Sequence, residues 1–275
     1  MSLRYQRLFA AAGARTAVIP FLVLGDPDLE TSGRLLDALV DHGIDAIELG
    51  LPFSDPVADG PVIQAASVRA LAAGATPERG WTLVEHLRAR APDLPIGLLV
   101  YANLVVHRGA AAFYHRAALA GADSVLIADV PVAEADPFVA EAERHGIAPV
   151  LIAPPNASPE RLARIARITR GYTYVTSRAG VTGARGPDPA VLAPILARLR
   201  TLGAPPPVLG FGIAEPAHVR AAGRLGARGV ITGSALIRRI DAARCAGDDP
   251  AERATGFLAT LQAAAIAGEH PAVEN

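Results

Sequence analysis

Short apolar runs alternate with longer amphipathic segments along this chain, and no other feature restricts its fold as much. The candidate strands are Ala17–Val23, Ala46–Leu49, Ile96–Val100, Ser124–Ala128, Pro149–Ile152, Tyr172–Thr176, Val208–Gly210 and Gly229–Thr232. Between them lie helical segments at Leu29–Asp41, Val62–Ala73 with Glu78–Arg90, Ala110–Ala120, Ala133–His145, Pro159–Thr169, Pro189–Leu202, Pro216–Leu225 and from Ser234 onward. Strands spaced by helical crossovers pair in parallel. An open doubly wound sheet and a closed barrel both satisfy this pattern. Eight strands within 275 residues favour a single (β/α)8 TIM barrel.

Local signals agree. Asp28 is placed to cap the first crossover helix, and Ser158-Pro159-Glu160 supplies a cap, a proline at the first helical position and an early acid. Tyr5, Leu8, Phe9 and Ala12 follow helical spacing, which predicts an extra helix within residues 1–14 over one barrel end. The whole of 1–275 reads as one domain, with a frayed tail from about residue 268. The intervals after strands 2 and 6 are longer than the rest, and barrels carry active-site lids on that face.

Glu48 interrupts an apolar run in strand 2. Alternation puts Ala46 and Glu48 on the inward face and Ile47 and Leu49 on the outward one. A carboxylate there is costly unless paired, and burial raises its pKa. A purely structural glutamate is the alternative; the barrel mouth favours acid/base chemistry. Asp55 and Asp59 follow in PFSDPVADGP. Isolated, they would read as solvated acids in a proline-rigid turn. Beside Glu48, they offer a second carboxylate to share acid and base work. The stretch Tyr172–Pro187 carries Gly180, Gly183 and Gly186; a plain flexible loop is the alternative, and its placement after strand 6 favours a closing lid. Tyr174 is a candidate for the inward face, with a packed core tyrosine as the equal alternative. GFGI and TGSALI end strands 7 and 8; small residues and a helix starting near Ser234 suit an anion such as phosphate.

Composition narrows the chemistry. All 26 basic residues are arginine. Without lysine the chain forms no side-chain Schiff base and carries no P-loop lysine. The seven histidines are scattered, with no metal-ligand spacing and no signature of a Ser-His-Asp triad. A net charge of -1 gives no basic field for nucleic acid or anionic membrane. One cysteine, Cys245, excludes an intrachain disulfide framework and fits a reducing, cytoplasmic setting. No signal peptide or membrane span is expected.

The stretches IPFLVLGDPD, ELGLPFSDPVADGP, IGLLVYANLV, DSVLIADVP, APPN, GYTYVTSRAGVTG, GFGI and TGSA resemble the tryptophan synthase alpha chain family, in family order from Ile19 to Ala235. The resemblance implies cleavage of indole-3-glycerol phosphate to indole and glyceraldehyde 3-phosphate. It implies Glu48 and Asp59 as catalytic residues. It implies phosphate contacts at Gly183, Gly212, Gly233 and Ser234, and indole packing at Phe21, Leu99, Tyr174 and Phe211. It also implies a pyridoxal-phosphate beta chain as partner in an α2β2 complex, with Asp55 and its loop facing that partner and no cofactor in this chain. Val23, Ala153, the segment ARGPDPAV and the chain from Ala242 depart from the family pattern.

Retro-aldol cleavage needs an electron sink. With no lysine, the indole ring itself is expected to serve, after protonation at C3. Three rivals stand beside this reading: a stand-alone indole-releasing lyase, an isomerase of phosphorylated sugars and a non-catalytic activating subunit.

Overall fold

Alternation along the strands splits the core in two. In strand β1 (Ala17–Val23), Ala17, Ile19, Phe21 and Val23 join one buried cluster while Val18 and Leu22 join another. The computed structural model describes residues 3–13, 15–176, 187–210 and 212–266. In it the remaining strands are β2 (Ile47–Gly50), β3 (Ile96–Val100), β4 (Ser124–Ile127), β5 (Ala148–Pro149), β6 (Ile152–Ala153), β7 (Thr173–Thr176), β8 (Pro207–Gly210) and β9 (Gly229–Thr232). Ile47, Leu49, Leu98, Val125, Val175, Leu209 and Val230 join Val18 in the outer cluster, against the helices. Leu126, Tyr174, Val208 and Ile231 join Phe21 in the inner one.

Every pairing is parallel, in the order β5-β4-β3-β2-β1-β9-β8-β7-β6. The two ends of that order are consecutive in sequence. The expected fifth strand, Pro149–Ile152, is two short pieces with Val150 and Leu151 between them. The Val150 N–H bonds to Val125 on one side, and the Leu151 carbonyl accepts from Tyr174 N–H on the other, at 3.0 and 3.1 Å. The run 148–153 therefore pairs with β4 and β7 in turn, and the sheet closes into a barrel of eight staves.

The helices are α1 (Leu3–Ala12), α2 (Leu29–His42), α3 (Pro61–Ala72), α4 (Pro77–Arg90), α5 (Ala102–Val106), α6 (Ala110–Ala120), α7 (Asp136–Arg144), α8 (Pro159–Ile168), α9 (Pro189–Thr201), α10 (Pro216–Arg224), α11 (Ser234–Ala246) and α12 (Pro250–Ile266). Asp28 caps α2 through Thr31 N–H at 2.8 Å, and Ser158 caps α8. The long interval after β2 holds two helices, α3 and α4. Helix α5 and the break between α11 and α12, at left-handed Gly247, were not anticipated. The expected helix Ala133–His145 starts later, after a short 3-10 turn at Val132–Glu134.

Helix α1 closes the N-terminal end of the barrel, burying Tyr5, Leu8 and Phe9 in the inner cluster. Arg4 and Arg88 hold buried Asp123 there at 3.0 and 2.7 Å, and Arg88 also donates to the carbonyls of Ala91, Leu94 and Gly121. A second tie joins the crossover helices. Asp26 accepts two hydrogen bonds from Arg69 of α3, and Arg69 reaches Asp241 of α11 at 3.6 Å.

Candidate active site

Inward residues at the C-terminal ends of the strands surround an open-mouthed cavity. Strand β2 places Glu48 on its wall, level with Phe21 of β1 and Gly97 of β3. Glu48 is 1% exposed. Its Oε1 accepts a 2.7 Å hydrogen bond from the Tyr172 hydroxyl, and its buried Oε2 has no hydrogen-bond partner among the described residues. Burial pushes the Glu48 pKa up to about 7; the Tyr172 hydrogen bond opposes that rise and the negative charge of Asp59 adds to it.

The floor beneath Glu48 is a set of hydroxyls. Tyr5 and Ser124 share a 2.8 Å hydrogen bond, and the Tyr5 and Tyr172 rings lie 5.3 Å apart. Gly97 makes room for them: a Cβ there would sit 3.0 Å from Ser124 Oγ and 3.1 Å from the Tyr5 hydroxyl.

Asp59 ends the loop after β2, just before α3. Its carboxylate accepts from the Tyr101 hydroxyl at 2.8 Å, and its carbonyl accepts from Gln64 at 2.8 Å, which pins both ends of the residue. The Tyr101 ring stacks on Phe53 of the same loop at 5.3 Å. Burial raises the Asp59 pKa, against the Tyr101 hydrogen bond. Asp55, by contrast, is exposed, bonds to Ser54 and lies outside the cavity lining. The loop thus places one of its two aspartates in the cavity.

Small residues shape the apolar wall. Phe21 lies between Gly50 and Gly233, where added Cβ atoms would meet its ring at 2.9 and 3.1 Å. Tyr174 fills the space over Gly210, where a Cβ would fall 2.0 Å from its ring. Tyr174 is buried and lines the cavity with Leu99, so it takes the inward alternative. Gly212, which also lines the cavity, adopts φ +78, a conformation that favours glycine. Gly233 precedes α11, and Ser234 is the first residue of that helix. The first turn of a helix presents N–H groups without intrahelical partners, together with the positive end of its dipole.

Eight of the residues singled out in the sequence therefore share one cavity: Phe21, Glu48, Asp59, Leu99, Tyr174, Gly212, Gly233 and Ser234. Gly183 and Phe211, like Gly180, Gly186 and the tail from 268, lie outside the described residues. Three neighbours were not singled out. Tyr101 and Tyr172 hold the two carboxylates, and Arg238 of α11 lines the cavity. Arg238 was findable, four residues after Ser234 on one helix face.

Two buried carboxyls therefore share one cavity with an apolar wall and the first residue of α11. Among the described residues no helix is long and apolar enough to cross a membrane. The family model described as "Tryptophan synthase alpha chain" matches residues 9–265. The tryptophan synthase alpha chain of Shewanella amazonensis is 56% identical over 241 residues, 87% of this chain and 91% of that protein. The one from Vibrio cholerae is 51% identical over 262 residues, 94% of this chain and 97% of that protein. Among solved structures, tryptophan synthase subunit alpha from Legionella pneumophila superposes with a TM-score of 0.87 at 31% identity, covering 96% of this chain and 98% of its own. A chain of the tryptophan synthase a2b2 complex from Pyrococcus furiosus, described in terms of mutual activation, gives 0.81 at 33% identity, covering 90% and 98%.

Proposed function

Because the chain belongs to the tryptophan synthase alpha chain family, a lyase that cleaves indole-3-glycerol phosphate, we propose that Glu48 and Asp59 carry that cleavage here. The observation that carries the assignment is Glu48 itself: a buried carboxyl, pushed to a pKa of about 7, with one oxygen unpartnered on the wall of a cavity that also holds Asp59.

A carboxyl with a pKa near neutrality gives and takes protons with similar ease. In the proposed sequence, Glu48 delivers a proton to indole C3 and accepts the one lost by the neighbouring side-chain hydroxyl. The bond between C3 and the hydroxyl-bearing carbon breaks. Its electrons return to the ring, which becomes indole, and the hydroxyl carbon becomes the aldehyde of glyceraldehyde 3-phosphate. Asp59 accepts a hydrogen bond from the ring N1–H and stabilises the positive charge that C3 protonation creates. Phe21, Leu99 and Tyr174 pack the ring, with Phe211 of the same assignment. Gly212, Gly233 and Ser234, with Gly183, bind the phosphate and orient the bond to be broken.

The ring is the electron sink, so the chain needs no cofactor of its own; a lysine-free sequence agrees, since it forms no side-chain Schiff base. The partner is a pyridoxal-phosphate beta chain in an α2β2 complex, in the cytoplasm. The test is indole release from indole-3-glycerol phosphate, with and without a cognate beta chain. Slow release that rises when the beta chain is titrated in is the expected result. A fast chain indifferent to the beta chain would make it a stand-alone lyase, and no indole at all would remove the assignment.

A further inference from the structure

The anion-binding end of the cavity carries a charge that the assignment above leaves unused. Gly212, Gly233 and Ser234 offer neutral donors, N–H groups and a hydroxyl. A phosphate ester near neutral pH carries close to two negative charges. Arg238 lies four residues after Ser234, one turn along α11. Residues four apart share a helix face. Arg238 is the one cation among the described residues of the lining, and its side chain is exposed at the cavity mouth. It forms no ion pair among the described residues.

The adjacent arginine is committed elsewhere. The Arg239 guanidinium lies 3.9 Å over the Phe257 ring and donates to the Ala235 carbonyl at 2.9 Å. Burial lowers its pKa, the charge of Arg238 lowers it further, and Glu215 opposes both. The start of α11 therefore carries two neighbouring positive charges, and Arg238 is the one turned toward the cavity.

We propose that Arg238 is a phosphate-binding residue of this site, adding charge to a ring of neutral donors and selecting a phosphorylated side chain over an uncharged one. The inference rests on the reading of that end as the phosphate subsite. Guanidinium suits the role because its fork of N–H groups matches two phosphate oxygens at once. Being exposed, the contact is screened by salt, so affinity for phosphate falls as ionic strength rises.

The test titrates the full chain with three probes: inorganic phosphate, indole propanol phosphate and indole. Arg238→Gln is expected to weaken both phosphate-bearing probes about tenfold, the scale of one hydrogen bond to a charged group. It leaves indole affinity as in the wild type and flattens the salt dependence. Arg238→Lys keeps the charge and restores part of the loss. A general packing defect would weaken indole equally and would overturn the proposal. So would wild-type phosphate affinity in Arg238→Gln while Ser234→Asp loses it; the subsite would then stand without Arg238. If the wild type binds neither phosphate probe and Ser234→Asp changes nothing, the subsite reading itself fails and takes this inference with it.

Discussion

The Tyr172 hydroxyl holds Oε1 of Glu48 at 2.7 Å across 124 positions of sequence, and Oε2 is left without a hydrogen-bond partner among the described residues. The bond favours the ionised carboxylate against a burial that disfavours it. Tyr172→Phe removes the favourable contribution and leaves the burial. The Glu48 pKa then moves above about 7, and the limb of the pH–rate profile assigned to Glu48 moves up with it. Profiles of both proteins with the beta chain saturating would show the shift; superimposable limbs would contradict it.

Glu48→Gln separates chemistry from folding. Cleavage should fall by on the order of 10²- to 10⁴-fold, the usual cost of losing a general acid/base. Stability should move the other way at alkaline pH. The folded pKa of about 7 exceeds the ordinary 4.5, so the native state holds the proton more tightly than the unfolded chain. The wild type is therefore most favoured below pH 4.5 and loses that advantage as pH rises through 7, by about 3 kcal/mol for a shift of this size. Glutamine has nothing to ionise. Urea melts at pH 5 and pH 8 should show the variant gaining on the wild type at the higher pH, and an unchanged difference would count against the burial argument.

Gly210→Ala tests the apolar wall. Its Cβ would fall 2.0 Å from the Tyr174 ring, so the ring must leave its place. Overpacking of this kind costs about 1–3 kcal/mol. The displaced ring enters the cavity, so indole affinity should fall along with the melting temperature. Unaltered indole binding would show that the wall yields elsewhere.

Arg88→Met addresses the opposite end of the barrel. Asp123 is 3% exposed and holds Arg88 and Arg4, and Arg88 also satisfies several carbonyls. Removing one partner of a buried pair typically costs about 3–5 kcal/mol. The retained Arg4 contact argues for the lower figure. A shift in the urea midpoint at constant slope would report it; a variant as stable as the wild type would show that Arg4 alone suffices.

Much of this was legible because the barrel obeys two short-range rules. Period-two alternation already placed Glu48 inward and Ile47 and Leu49 outward, where they are found. Turn and cap chemistry located α2 and α8 through Asp28 and Ser158. What stayed hidden depends on closure. Tyr172 reads as an ordinary strand residue until β7 and β2 face each other across the barrel and its hydroxyl meets Glu48. Tyr101 likewise acquires its role only when the loop after β2 brings Asp59 over the end of β3. The interruption of the fifth strand was hidden for another reason: Val150 and Leu151 are good strand formers, and their backbone changes partners rather than direction. Helix α5 spans five residues, too few to show a period.

That change of partners has a mechanical meaning. Because the run 148–153 bonds to β4 on one side and β7 on the other, the barrel offers, among the described residues, no outer strand whose N–H and C=O groups await a neighbour. Another chain gains no foothold by extending this sheet. Recognition is left to helix ends and loops, the parts that vary most freely without disturbing a hydrogen-bonded frame. The same ring resists disassembly from a margin: no stave can peel away without breaking the pairing on both its sides, so opening the barrel at any one strand breaks two ladders at once.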